Sequence, residues 1–376
     1  MFLRNCWYVA AWDHELDSQK LLARRILDQT VLLYRTSQGL AVALKDQCPH
    51  RLVPLSAGRR CDDMIQCGYH GLVFAADGRC VEIPGQAGVP GKPKVPDSMR
   101  VPVFPTVRRH ALVWIWMGAP EAADPALIPA VPWLDQTGWE MAGGYTHIAA
   151  DYRLLTDNLL DLSHENYLHE GTIGNEAEET IADYPPVFSL REDQVLSVRR
   201  EMLDIEPPPF FSMILASKER IDRWQTAIWT APTVNITDTK AQIAGDKSGL
   251  PYLGRVVHLL TPETACATHY FWSLSRNCRL ADEALSESLR EALKKTFDED
   301  KAMLELQQKA LSDSGLSVPN WRLRVDQAPE KARQILASLI QREQDRQPHA
   351  IVSGALVDGE GIGQSQVHLS PPQFTA

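Results

Sequence analysis

The sequence predicts an α+β protein in which a β-rich N-terminal part precedes a mixed α/β C-terminal part. Over residues 1–117, short apolar runs rich in branched and aromatic side chains alternate with turn signals, a pattern typical of strands. From Asp282 to about Ser312, apolar side chains recur at every fourth position, which indicates one buried face of a long helix. A chain of 376 residues is long enough for two domains, and we expect each domain to have its own core.

Apolar runs and turn signals place the N-terminal elements. The predicted strands are residues 31–34, 40–44, 71–74 and 112–116. Ser37-Gln38-Gly39 separates the first two strands as a hairpin signal, and Asp77-Gly78 is a turn after the third. Proline and glycine crowd the segment 84–98, which predicts a loop.

The domain organisation follows from composition along the chain. We expect a first domain over residues 1–117, a Pro- and Ala-rich connection over 118–138, a second domain over 139–346 and a tail over 347–376, for which no structure is predicted. In the second domain, strands over 254–260 and 268–274 are expected to be joined by a turn at Thr261-Pro262-Glu263. Helices are predicted over 282–312 and 331–346.

Composition and charge exclude several classes of protein. The formal net charge of −10 and the lack of a dense Lys/Arg block argue against a nucleic-acid partner. No apolar run is long enough to predict a membrane span, and Asp13 and Glu15 interrupt the N-terminus where a secretory signal would need apolar residues. Seven irregularly spaced cysteines do not indicate a disulfide framework, so we expect a reduced, cytoplasmic protein.

Two short motifs carry paired cysteines and histidines. They are Cys48-Pro49-His50 and Cys67-Gly68-Tyr69-His70. Two thiolates and two imidazoles are the ligands of a Rieske [2Fe–2S] cluster, in which histidines bind one iron and cysteines the other. A Cys₂His₂ zinc site is the alternative, but zinc modules usually pair Cys with Cys and His with His, whereas each pair here is mixed.

A second type of motif begins with Asn158-Leu-Leu-Asp161-Leu-Ser-His164. It ends at His169, five residues after His164. On a regular helix, His164 and His169 would point about 140° apart, so they can share a metal only if the helix ends or distorts between them. Two histidines and a carboxylate form the facial triad of non-haem Fe(II) enzymes. Asp161 lies one turn before His164 and is expected to support its imidazole, and Asn158 could reach the same site.

The third ligand of such a triad should be a carboxylate distant in sequence. The predicted long helix offers Asp298, Glu299 and Asp300, and a solvated helix face is the expected position for two of them. Asp300 follows Phe297 by three residues and therefore falls near the buried face.

The remaining histidines suggest plainer roles. We expect His147 and His269, both in strand-like segments, to be hydrogen-bonded core residues. His258 could face a substrate or be structural.

Together these motifs resemble the oxygenase components of Rieske non-haem iron aromatic oxygenases. The resemblance is closest to the group that includes vanillate O-demethylase, toluenesulfonate methyl-monooxygenase and dicamba O-demethylase. It runs from Met1 to about Gln308 and rests on these segments: RNCWYVAAW at 4–12, CPHR at 48–51, CGYHGL at 67–72, LVWIWMG at 112–118, DYRLLTDNLLDLSHENYLH at 151–169 and FDEDKAMLE at 297–305.

The resemblance implies a set of cofactors and ligands. Cys48, His50, Cys67 and His70 would bind the Rieske cluster, and His164, His169 and Asp300 would bind a mononuclear Fe(II). Asp161 would join a cluster histidine of one subunit to an iron histidine of another, which implies a homotrimer. The second domain would have a helix-grip fold with an antiparallel sheet, and a separate NADH-dependent flavin and iron–sulfur reductase would supply electrons.

The resemblance also suggests residues of the substrate pocket. It places Gln225 and His258 in the pocket, and it places Glu291 where the dicamba enzyme has a pocket tryptophan. The implied activity is O₂-dependent hydroxylation of a methoxy or methyl substituent of an aromatic acid. Ring cis-dihydroxylation uses the same metals and is the alternative within enzymes. A Rieske electron carrier or a zinc-stabilised binding module are alternatives from other classes, but neither needs the second motif.

Overall fold

The structure is a computed structural model. It describes residues 1–17, 20–84, 95–174, 181–192, 194–246, 250–315 and 321–346. Most of the predicted loop 84–98 and the whole tail 347–376 lie outside these ranges. Among the described residues, no helix is long and apolar enough to cross a membrane.

The described residues of the N-terminal part form eleven short strands. They are β1 (Trp7–Trp12), β2 (Leu22–Ile26), β3 (Gln29–Arg35), β4 (Ala41–Lys45), β5 (Arg59–Cys61), β6 (Met64–Gln66), β7 (Val73–Phe74), β8 (Cys80–Glu82), β9 (Val103–Phe104), β10 (Thr106–Arg109) and β11 (Leu112–Trp116). Three antiparallel sheets result, in the orders β1-β11-β10, β2-β3-β4-β9 and β5-β6-β7-β8. The prediction of an all-β N-terminal part is confirmed.

The C-terminal part is built on one seven-stranded antiparallel sheet of order β12-β18-β17-β16-β15-β14-β13. Its strands are β12 (Glu140–Ile148), β13 (Val187–Leu190), β14 (Leu196–Ile205), β15 (Ile221–Thr230), β16 (Val234–Ile243), β17 (Tyr252–Thr264) and β18 (Ala267–Arg276). The helices are α1 (Tyr152–Leu160), α2 (Glu165–Leu168), α3 (Pro209–Leu215), α4 (Glu283–Ser314) and α5 (Gln327–Arg346).

Helix α4 has the apolar stripe that the sequence predicts, and both of its ends are capped. The carboxylate of Asp282 accepts the backbone N–H of Leu285 at 2.9 Å, which satisfies one of the unpaired donors of the first turn. Gly315 ends the helix in the left-handed region at φ 66°, a conformation that glycine adopts without steric cost. The stripe that includes Leu289 and Phe297 is buried, and α4 packs against β12.

The turn predicted at Thr261-Pro262-Glu263 is wrong. β17 continues to Thr264, and Pro262 pairs with Thr268 of β18 before a bulge. Proline is tolerated here because β16 pairs with β17 only up to Leu259, so no neighbouring strand requires a donor from Pro262. Its carbonyl instead accepts the N–H of Leu27, just after β2, at 2.9 Å.

The expectation of two separate cores is met only in part. One buried apolar cluster, which includes Leu32 and Phe74, lies wholly within residues 1–117. Two others cross between the parts of the chain: one contains both Tyr8 and Leu154, and the other joins Trp116 to Phe271 through Val131 of the segment 118–138. The two parts therefore share buried apolar surface, so the N-terminal sheets are fixed against the seven-stranded sheet by packing.

Helix α4 provides a test of how much its buried face stabilises the fold. Leu289→Ala removes a side chain with 0% exposure and should lower the free energy of unfolding by about 2–5 kcal/mol, because lost transfer energy and a cavity add. Leu306→Ala on the same helix, where the side chain is 63% exposed, should change it by no more than about 0.5 kcal/mol. Urea denaturation followed by tryptophan fluorescence measures both, and equal effects would contradict the assigned buried face.

Candidate metal centres and substrate pocket

The two Cys–His motifs form two loops with the same hydrogen-bond pattern. The N–H of Cys48 donates to the carbonyl of Val53 at 2.8 Å, and the N–H of Leu52 returns to Cys48 at 2.9 Å. In the second loop, Cys67 donates to the carbonyl five residues later at 2.8 Å, and Gly71 returns to Cys67 at 3.0 Å. Each Cys–His pair therefore lies on a tight turn that closes on its own cysteine.

Both turns need a residue in the left-handed region at the same place. Leu52 has φ 61° and Gly71 has φ 72°. At Gly71 there is a second constraint, since an added Cβ would lie 2.9 Å from Cγ of Pro84. Leu52 shows that a larger residue can adopt this conformation, so it is the close approach of Pro84 that favours glycine at Gly71.

The two loops bring the predicted cluster ligands together. Cys48 and Cys67 are 1% and 2% exposed, whereas His50 and His70 are exposed with ring centroids 4.5 Å apart. Two buried thiols beneath two adjacent surface imidazoles match the ligand set of a Rieske cluster, with its histidine-bound iron towards the surface. Tyr69 stacks against His70, with ring centroids 3.8 Å apart.

The segment that carries His164 and His169 is not one regular helix. The end of α2 at Leu168 agrees with the expected distortion between the two histidines, and a further break at Asp161, before His164, was not expected. α1 ends at Leu160, a 3₁₀ turn covers Leu162–His164, and α2 is a single turn that ends before His169. The rings of His164 and His169 consequently converge, with centroids 5.2 Å apart.

Asp300 completes this group from α4. Its Oδ1 lies 3.5 Å from Nε2 of His164 and 3.2 Å from Nε2 of His169. The three ligand atoms lie within 4.8 Å of one another, which suits a metal bound by one face of its coordination sphere. The Nδ2 of Asn158 is 3.0 Å from Oδ1 of Asp300 and 3.4 Å from Nε2 of His164, so Asn158 reaches the site as predicted.

The support for His164 differs from the prediction. Its Nδ1 donates to the backbone carbonyl of Asp161 at 2.7 Å, not to the carboxylate. The carboxylate instead accepts the N–H of Ser163 at 3.0 Å and caps the 3₁₀ turn. Because a carbonyl can only accept, Nε2 of His164 is left as the nitrogen available to a metal.

Glu299 supports His169, and the sequence did not indicate this role. Its Oε2 lies 2.9 Å from Nδ1 of His169, whereas Asp298 is exposed and pairs with Lys294. A solvated position was expected for Glu299, and that expectation is wrong. Although burial opposes the charged imidazole, the carboxylates of Asp300 and Glu299 raise the pKa of His169 above its ordinary value.

A largely apolar cavity opens beside the three ligands. Its lining includes both predicted pocket residues, Gln225 and His258. Glu291 does not contribute, because it is exposed on α4, and the apolar wall comes instead from residues such as Leu293 and Phe297.

One side of the cavity is a buried charged network that sequence reasoning missed. Arg223 donates to Glu165 at 3.0 Å and to Oε1 of Gln225 at 2.8 Å, and Nε2 of Gln225 donates to Glu165 at 2.6 Å. Arg223 also stacks over Phe211 at 4.5 Å. Since the guanidinium only donates and an ionised carboxylate only accepts, together they fix which way the Gln225 amide points. The alternation of buried residues in β15 was the available signal, because it places Arg223 and Gln225 on the inner face.

His258 is held on both sides of its ring. Its Nδ1 is hydrogen-bonded to the Tyr270 hydroxyl at 2.6 Å and its Nε2 to the Thr237 hydroxyl at 3.2 Å. Burial lowers the pKa of His258 to about 3, so the imidazole is neutral at physiological pH. His258 is therefore a neutral, fixed part of the cavity lining.

Comparison with known proteins agrees with both centres. Residues 6–105 match the Rieske [2Fe-2S] domain, and residues 148–342 match the vanillate O-demethylase oxygenase C-terminal domain. The toluene-4-sulfonate monooxygenase system iron-sulfur subunit of Comamonas testosteroni is 37% identical over 86% of this chain and 96% of its own length. The vanillate O-demethylase oxygenase subunit of Pseudomonas sp. strain HR199 is 34% identical over 94% of this chain and 99% of its own length.

A solved structure shows the same fold. The crystal structure of dicamba monooxygenase bound to 3,6-dichlorosalicylic acid superposes with a TM-score of 0.85, at 32% identity, over 92% of this chain and 99% of the other. The chain thus belongs to the family of Rieske non-haem iron oxygenase components, within the group that has the vanillate O-demethylase type of C-terminal domain. It is an oxidoreductase that uses a Rieske [2Fe–2S] cluster and a mononuclear iron, and as an oxygenase component it needs a separate reductase.

The role of Glu299 can be tested through iron retention. Glu299→Ala should weaken mononuclear iron binding by about 10–100-fold, the usual effect of removing the partner of a ligating histidine. Asp298→Ala, one residue away, should leave iron binding unchanged, and Asp300→Ala should abolish it. Dialysis against graded chelator followed by iron analysis measures this, with the visible cluster spectrum as the folding control. Equal iron retention by the Glu299 and Asp298 variants would show that Glu299 has no supporting role.

Proposed function

We propose that the protein hydroxylates a methoxy or methyl substituent of an aromatic acid, with O₂ and electrons derived from NADH. The single observation that carries this proposal is that His164, His169 and Asp300 converge at a largely apolar cavity, in a chain that also carries a Rieske centre. Two relatives are named for substrates of this class: toluene-4-sulfonate carries a methyl group and an acid group, and vanillate O-demethylase removes a methyl group from oxygen.

The residues of the cavity would bind and orient the aromatic ring. Apolar side chains such as Phe211, Leu293 and Phe297 would pack against the ring and exclude water. Gln225 would offer the second N–H of its amide to the acid group, and the neutral ring of His258, fixed by Tyr270 and Thr237, would line the pocket, so that the substituent carbon points towards the three ligands. Asn158 donates a hydrogen bond to the carboxylate of Asp300 and would keep this metal ligand oriented.

The bound metals supply single electrons and the activation of O₂. The overall reaction adds one oxygen atom to the carbon and reduces the other to water, with two electrons and two protons. From a methoxy group, the hemiacetal product collapses to a phenol and formaldehyde. From an aryl methyl group, the product is a benzylic alcohol.

A product assay tests this proposal. Chemically reduced, iron-loaded protein is mixed with O₂ and a panel of methoxy- and methyl-substituted benzoates and sulfonates. We expect formaldehyde in equal amount to the phenol, or a benzylic alcohol, from at least one compound. His164→Ala should give no product and keep the cluster spectrum. A cis-diol would replace the proposal with ring dihydroxylation, and no product from any aromatic compound would leave only an electron carrier.

The partners that we propose are a reductase with flavin and an iron–sulfur centre, and two further copies of this chain in a homotrimer, with the assembly in the cytoplasm. Two surfaces support a homotrimer. His50 and His70 are exposed beside the exposed apolar side chains of Leu52 and Tyr69. A second cavity is lined by Asp161 and also by His164, so that His164 borders both cavities.

Exposed apolar residues near the second cavity strengthen this proposal. Trp321 and Met303 line it and are 89% and 52% exposed. Large exposed apolar side chains beside a surface cavity are typical of a surface that another protein covers. The half-buried carboxylate of Asp161 would then accept a hydrogen bond from His70 of a second copy, which would place a Rieske histidine close to His164.

Replacement of Asp161 tests this junction. Asp161→Asn keeps an oxygen that can cap Ser163, but it replaces one acceptor by a donor and so cannot accept from a histidine on that side. Both metal sites should remain filled, while product formation with the reductase should fall by about tenfold or more. Asp298→Asn, which changes an exposed carboxylate of α4, is the matched control. Turnover of the Asp161 variant at the wild-type rate would contradict the proposed role.

A further inference from the structure

A second group of possible metal ligands shares no residue with the iron triad or the Rieske loops. It consists of His147, Glu263 and His269, whose ligand atoms lie within 4.8 Å of one another. His147 on β12 and His269 on β18 are direct cross-strand partners. Glu263 lies in the bulge near the end of β17, and a bulge commonly redirects a side chain.

The environment of His147 differs from the sequence expectation. A core position was expected, but the side chain of His147 is 47% exposed, and its Nε2 lies 2.5 Å from Oε2 of Glu263. His269, directly opposite, is buried at 6% exposure. The group therefore has one ligand anchored in the fold and one open to solvent, which gives an ion a route to it.

His269 is oriented as a metal ligand usually is. Its Nε2 donates to the backbone carbonyl of Arg25 at 2.8 Å, so that Nδ1 carries the lone pair. Metal-binding histidines commonly donate their other N–H to a backbone carbonyl or a carboxylate. In this structure Nδ1 is hydrogen-bonded to the Tyr145 hydroxyl at 2.8 Å, an oxygen that adds a further polar atom to the same place.

We propose that His147, Glu263 and His269 form a binding site for a divalent cation of the zinc class, separate from the iron chemistry. Two imidazoles and one carboxylate match the preference of zinc, and of the similar ions of nickel and copper, for nitrogen and oxygen ligands. Water or the Tyr145 hydroxyl completes a fourth position.

The geometry requires only a small adjustment. Zinc–nitrogen and zinc–oxygen distances of about 2.0–2.2 Å place tetrahedral ligand atoms about 3.5 Å apart. Separations near the 4.8 Å limit must therefore shorten by up to roughly 1.3 Å, while the 2.5 Å pair of His147 and Glu263 must widen by about 1 Å. His147 can supply this movement, because its half-exposed ring is not confined by packing.

A cation at this site would strengthen the junction between the two parts of the chain. The carbonyl that orients His269 belongs to Arg25 of β2, and the carbonyl of Glu263 accepts the N–H of Asp28, just after β2, at 2.9 Å. The bound ion would thus connect three strands of the catalytic sheet beside their contact with an N-terminal strand. Binding to the folded state alone would raise the thermal midpoint of unfolding.

Metal counting tests the proposal without turnover. Iron-loaded full-length protein is dialysed against low-micromolar zinc, and zinc and iron per chain are measured in the same samples. We expect one zinc per wild-type chain, with iron content unchanged. His147→Gln and Glu263→Gln change residues at the open side of the site, and each should weaken zinc binding by tenfold or more.

The control is His110→Gln. His110 also lies beside a carboxylate, with Nδ1 3.2 Å from Asp135, but that pair belongs to no group of three potential ligands among the described residues. It should bind zinc as the wild type does, and zinc should raise the thermal midpoint of the wild type and of this control only. Equal zinc content in wild type and in both site variants, or no zinc in the wild type, would show that His147 and Glu263 form only a hydrogen-bonded pair. Because no substrate is used, either result is independent of the proposed hydroxylation.

Discussion

The interruption of the helix at Asp161 is the constraint on which the mononuclear site depends. Asp161 adopts an extended conformation, with φ −111° and ψ 96°, between α1 and the 3₁₀ turn that follows. On one side its N–H closes α1 on the carbonyl of Asp157, and on the other its carboxylate begins the next turn. After Asp161, the chain passes from the 3₁₀ turn into the single turn of α2, which ends at Leu168, so that His164 and His169 converge instead of pointing about 140° apart as on a regular helix. One residue therefore ends a helix, starts a turn and, through its carbonyl, orients the first ligand.

The third ligand depends on long-range packing. Asp300 approaches the histidines only because the apolar stripe of α4 is buried, which fixes the rotation of that helix about its axis. The same rotation turns Glu299 towards His169 and leaves Asp298 in solvent. Three consecutive acids thus have three different environments, set by a stripe that begins fifteen residues earlier with Leu285.

The sequence predicted the chemistry better than its surroundings. Mixed Cys/His spacing indicated the cluster, and the histidine pair indicated that its helix must break, because both follow from local ligand geometry. The choice of Asp300 as the third iron ligand rested mostly on the resemblance to the oxygenase family. Glu165 and Glu299 were missed, since nothing local distinguishes a buried acid from a solvated one until its partner is known. The turn at Pro262 was misplaced, because proline usually indicates a turn. Here Pro262 lies in the part of β17 that has no pairing with β16, so the N–H that proline lacks is not needed there. The N-terminal part has a buried cluster of its own, but two further clusters cross to the second part. The crossing was missed because the apolar residues of the connecting segment are spaced too irregularly to be recognised as buried.

The cavity beside the iron ligands has two unlike sides. On one side Glu165, Arg223 and Gln225 hold one another, so a change to any one of them leaves a buried charge or amide without a partner. On the other side, Leu293 and Phe297 belong to the buried stripe of α4, where apolar side chains of similar volume exchange at small energetic cost. Natural divergence in this scaffold can therefore proceed by such exchanges along the α4 wall while the charged side stays constant. A directed-evolution library for a new aromatic compound would be most productive if it varied that wall among apolar side chains of similar volume, because such variants keep the stripe that positions Asp300.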